Sequence, residues 1–211
     1  MVTVATLPDR FAGLWQRLGA ITPPGPLAAT LLQAYAEPHR AFHTLVHLCH
    51  CLEEFDNCRH LALNSDAVEL ALWFHDAVYD PRGKTNERDS AVLALEALEQ
   101  GQISLATKLL VPTLILATTH EPQPPTTVDA QLIVDIDLAI LGQPQSRFEE
   151  YERQIRQEYA MVPEDQFRLG RSAILKKFLR RSSIYHTAFF QQKYETSARV
   201  NLQRSLRRLA P

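Results

Sequence analysis

Glycine is scarce in this chain of 211 residues, seven in all, and runs of β-branched residues are few. That argues against a sheet protein with its many tight turns. Leucine, alanine, glutamate, glutamine and arginine dominate instead and favour helix nearly throughout. Cysteine is limited to Cys49, Cys51 and Cys58, which cannot all pair and which fall within one expected helix, so reduced thiols are expected, not a disulfide framework. An excess of either charge is missing as well: 22 Lys+Arg stand against 24 Asp+Glu, a net −2. This balance excludes general nucleic-acid binding and leaves any phosphate recognition to local clusters. No apolar run approaches the roughly 18–20 residues that span a bilayer. The opening MVTVATLPDRFAGLW has neither the basic start nor the apolar centre of a signal peptide. A soluble, cytoplasmic protein with no membrane partner is expected.

What is present is helical periodicity. Apolar residues spaced three and four apart predict helices near 8–19, 26–36, 43–60, 66–78, 87–100, 103–119, 127–141, 146–160, 164–181 and 187–209. The expected fold is all-α, one domain over 1–211, with a core at about 35–142 and C-terminal helices 146–209 packed on it. ITPPGP and EPQPPTT read as loops, because proline cannot continue a helix. Pro112 is expected to kink or break its helix. Asp66 with Glu69 reads as a capping box, Asp66 being the N-cap.

The stretch ALWFHDAVYD, residues 71–80, is apolar up to His75-Asp76, and polar, turn-rich sequence follows. Nearly every position from 67 to 78 is apolar, the pattern of a central helix covered on all sides, whose end then opens into a cleft. An imidazole and a carboxylate in such a place need partners, from protein groups or from a metal ion. Upstream, His43 and His47 stand four residues apart, on one face if both are helical. Downstream, Asp135 and Asp137 diverge by about 200° on a helix, so at most one reaches a shared site. Imidazole and carboxylate ligands suit Mn, Fe, Co, Ni or Zn, and no paired-thiolate set for a structural zinc cluster is present. Cys49 and Cys51 also diverge by about 200°, which makes CHC a weak metal signal.

Taken together, FHTLVHL, WFHDAVYD, NERDSA, VDIDLAILG, YERQIRQEY and YETSARVNL resemble the bacterial HD-superfamily proteins described as predicted metal-dependent phosphohydrolases, over roughly residues 35–208. The resemblance implies an all-helical HD fold in which His47, His75, Asp76 and, in preference to Asp135, Asp137 hold a divalent metal. It places His43 where related metal phosphodiesterases carry a proton-donating histidine. Arg40 resembles the arginine of the family's R-x-Y-H pattern, with Phe42 standing where the tyrosine is usual. His120-Glu121 stands where paired histidines are frequent. Only His120 lies between the doublet and the last aspartate, so one metal is expected more than two.

The reaction this implies is hydrolysis of a phosphate ester, of a nucleotide or another small phosphorylated molecule, by metal-bound hydroxide attacking in line. The ion would be Mn, Mg, Co, Ni, Fe or Zn. His43 would protonate the leaving oxygen and Glu87 would orient or deprotonate the water. Glu87 is explained as well by the helix macrodipole. Arg40, Lys84 and His120 are the expected substrate contacts. Tyr151, Arg156, Glu158, Tyr159 and Arg171 match C-terminal family features that buried ion pairs or packing explain equally. Two other readings use the same scaffold: a di-iron oxygenase, and a non-catalytic module that binds metal or nucleotide. A homodimer is the default oligomer.

Overall fold

The computed structural model describes residues 2–119 and 125–210. Among these, helix is the only regular structure: α1 (Leu7–Arg17), α2 (Pro24–Ala34), α3 (Leu45–Cys58), α4 (Ser65–Phe74), α5 (Asn86–Gln100), α6 (Leu105–Ala117), α7 (Val128–Asp137), α8 (Gln145–Glu158), α9 (Glu164–Leu179) and α10 (Ala188–Leu209). The protein is all-α, as its propensities predict. Every one of these helices contributes to one buried apolar cluster. The spacing explains why: Leu7, Phe11, Leu14 and Trp15 of α1 recur at helical period and are all buried.

α4 is the central element. Ala67 to Phe74 are buried without exception, and α1, α3, α5, α6 and α7 surround it. Its start differs from the expected capping box. The N-cap is Asn64, without a side-chain cap bond, and Asp66 lies two residues further on, within the first turn. Long-range arginines claim both acidic groups instead: Arg17 pairs with Asp66 at 3.0 Å, while Arg10, at 2.7 Å, and Arg59 pair with buried Glu69. Asp129 of α7 ties down the helix entry, accepting from the Leu63 and Asn64 backbone N–H groups at 2.8 and 3.1 Å. α6 runs unbroken through Pro112 to Ala117, held between α4 and α5.

α7 passes directly into the buried 3-10 turn Leu138–Gly142, against which α10 lies. The Asn201 side chain donates to the Leu141 and Gln143 carbonyls at 2.9 Å each, and Ser197 Oγ donates to that of Gly142 at 2.7 Å. Gly142 is required by close approach, because a Cβ there would meet the Tyr194 side chain. The buried Asp135 accepts from the His186 and Thr187 N–H groups and the Thr187 hydroxyl, each at 2.7 Å. It thus fixes the chain entering α10 and faces away from the histidines.

Among the described residues no helix is long and apolar enough to cross a membrane.

Candidate metal centre

Three chain segments deliver donors to one point. α3 brings His47 and, one turn on, Cys51; the end of α4 brings His75 and Asp76; the end of α7 brings Asp137. The His47, Cys51, His75 and Asp137 donors all lie within 4.8 Å of one another. His47 Nε2 is 3.2 Å from His75 Nε2 and 3.3 Å from Asp137 Oδ1, and His75 Nε2 is 3.7 Å from the same oxygen. Asp76 Oδ2 lies 3.0 Å from His75 Nε2 and 3.4 Å from His47 Nε2, yet among the described residues this buried oxygen has no hydrogen-bond partner of proper geometry. Ligands about 2.1 Å from a common ion are about 3.0–3.4 Å apart across octahedral or tetrahedral edges. Four of these five separations fall in that range, and the His75–Asp137 one, at 3.7 Å, lies just beyond it.

Local structure sets the donor atoms. His75 directly follows α4, where terminal carbonyls lack helical partners, and its Nδ1 is 2.8 Å from the Leu72 carbonyl. A proton on Nδ1 donated there leaves the Nε2 lone pair facing the cluster. Burial alone would push both imidazoles down. Cys51, Asp137 and Asp76 nevertheless hold His47 well above its ordinary value, and Asp76 and Asp137 do the same for His75. Asp76 is held well below the usual carboxylate range, against the effect of its burial, by His75, His43 and His47. So close a set of imidazoles and carboxylates is the arrangement a divalent cation satisfies. The residues present fit a metal ion.

His43 belongs to a neighbouring, distinct arrangement. Its Nδ1 is 2.8 Å from Glu158 Oε2, which also accepts the Tyr79 hydroxyl at 2.8 Å. Glu158 Oε1 accepts the backbone N–H groups of Ala41, Phe42 and His43 at 2.8–3.0 Å. Despite burial, the His43 contact and these N–H groups lower Glu158 to about 2. The Tyr79 ring lies 4.2 Å from that of His43, centroid to centroid. Glu158 and Tyr79 together thus fix the orientation of the His43 ring. Phe42 packs between His47 and Tyr151, 4.6 Å from each ring.

A cleft of about 680 Å³ opens over these groups, within the range of small-molecule sites. His43, Asp76 and Asp137 reach its wall, as do Glu87, Lys84, Lys177 and the aromatic rings of Tyr151, Tyr159 and Phe167. Glu87 and Lys84 thus lie in the wall of this cleft. Arg40 does not: its side chain is fully buried. Its guanidinium donates to Glu37 and to the carbonyls of His43, Asp76 and Ala77, at 2.6–3.1 Å. It staples the histidine loop to the His-Asp doublet and has no place among the cleft-lining groups. His120 lies outside the described residues.

Two residues matter more than the sequence reading allowed. The divergence of Cys51 from Cys49 hides the relevant spacing, which is the four residues between Cys51 and His47. Glu158 occupies the next place on a buried α8 stripe of Phe148, Tyr151 and Ile155. A carboxylate on an apolar stripe is the signal that marks it. No protein-family model, curated protein or solved structure matches the chain.

Proposed function

We propose that this protein is a metal-dependent phosphohydrolase of the HD type, acting on a phosphate ester of a nucleotide or another small phosphorylated molecule. The observation that carries this reading is the meeting, in one cleft, of a buried His/Asp donor cluster and a histidine oriented by a buried carboxylate. His47, His75, Asp76 and Asp137 would hold the ion. When bound, a divalent metal polarises a phosphoryl oxygen and lowers the pKa of a water.

The remaining chemistry belongs to the chain. Glu158, anchored by three backbone N–H groups, holds His43 through Nδ1 and leaves its Nε2 to move a proton to the leaving oxygen. Glu87, in the cleft wall, would orient a water. Lys84 and Lys177 supply positive charge for phosphate, and the aromatic wall covers the organic part of the ester. A di-iron oxygenase would need a second ligand set, and among the described residues one donor group is found.

The test is phosphate release from a panel of nucleotides and sugar phosphates, with metal added or chelated. Release that needs metal and falls in His43→Ala supports the reading. A protein that binds metal and releases phosphate from no member of the panel, but consumes oxygen, overturns it.

A further inference from the structure

We infer that Cys51 is itself a ligand of the proposed metal, so that the centre is a mixed imidazole, carboxylate and thiolate site that favours zinc-class ions over magnesium and manganese. This rests on the metal-centre reading above and goes beyond the His/Asp set assigned there.

Three observations carry it. The first is position: Cys51 follows His47 by one helical turn on the buried face of α3, and its sulfur belongs to the same 4.8 Å group as both imidazoles and Asp137. The second is distance: Cys51 Sγ lies 3.6 Å from His47 Nε2, the atom that also faces His75 and Asp137, and 3.8 Å from Nδ1 of the same ring. The third is the contrast with Cys58 on the same helix. Cys58 makes the ordinary helical thiol contact, donating to the Glu54 carbonyl at 3.2 Å. Cys51, fully buried, has only the two nitrogens of the His47 ring within hydrogen-bonding reach among the described residues. Its sulfur lies beside the imidazole of a donor residue, and not on a carbonyl of its own helix.

A soft thiolate among nitrogen and oxygen donors shifts preference towards Zn²⁺, Co²⁺ and Fe²⁺, and away from hard ions that prefer all-oxygen shells. The consequence is visible without turnover. Metal-free protein loaded with Co²⁺ should show the near-ultraviolet thiolate-to-cobalt charge-transfer band. Cys51→Ser should retain cobalt and lose the band, whereas Cys49→Ser should keep both. Zn²⁺ affinity should fall at least about tenfold in Cys51→Ser, with a smaller change for Mn²⁺. Bound cobalt without the band in the unaltered protein, or a band that survives in Cys51→Ser, overturns the inference and leaves the His/Asp centre standing. No cobalt bound by the unaltered protein overturns both. The spectrum of the unaltered protein decides even if Cys51→Ser fails to fold, a point circular dichroism checks.

Discussion

At the residue scale, the proposed function assigns proton transfer and metal holding to different side chains. His43 stands next to the donor cluster, with Glu158 as its partner. His43→Ala should therefore retain metal and lose about 10²- to 10⁴-fold in turnover, measured as kcat beside metal content. Glu158→Gln keeps the shape but removes the charge that orients His43. It should lower kcat by about tenfold to a hundredfold and displace the pH-rate profile, with KM little changed. A merely structural Glu158 would lower the amount of folded protein without moving the profile. The two aspartates of α7 should part company: Asp137→Asn loses metal, while Asp135→Asn keeps it and costs about 1–3 kcal/mol of stability through the α10 entry it ties down. Spacing alone established that one of them at most could face the histidines. It could not say which, because that depends on where α10 returns to the core. Arg40 was misjudged for a similar reason. Its nearness to His43 is visible in the sequence, but two of the three backbone carbonyls it binds, those of Asp76 and Ala77, lie 36 and 37 residues away.

At the scale of the element, most of the fold was legible. Periodicity places all ten helices, since each buries an apolar face and little glycine interrupts them. The misses lie where distant groups overrule local rules. Asp66 looked like a cap until Arg17 claimed it, and Pro112 looked like a break although α4 and α5 hold α6 on both sides. Gly142 has the same character: nothing local demands glycine there, but α10 crosses the turn too closely for a side chain. Gly142→Ala should destabilise the protein by about 1–3 kcal/mol, read as a lower denaturant midpoint. An unchanged midpoint would mean that α10 can move away from the turn at no cost.

At the scale of the molecule, the centre joins α3, α4 and α7, and Glu158 joins α8 to the loop before α3. These links make stability respond to acid and to metal. Glu158 has a folded pKa depressed from 4.5 to about 2. Its contribution is therefore fully present above about pH 4.5 and is lost as pH falls towards about 2. The stability difference between the unaltered protein and Glu158→Gln should narrow across that window in denaturant titrations at stepped pH. A difference that stays constant would remove the charge from the explanation. A metal bound only by the folded chain should raise stability by about 2.7 kcal/mol at a hundredfold excess over its Kd.

The account depends most on the donor cluster being a metal centre. The direct measurement is elemental analysis of the protein and of its His75→Ala/Asp76→Ala variant, both reconstituted with a divalent ion and dialysed, with circular dichroism to confirm folding. About one ion per chain is expected in the protein and almost none in the folded variant. No ion in either, or equal amounts in both, would mean that His75 and Asp76 serve only each other and their neighbours at the end of α4.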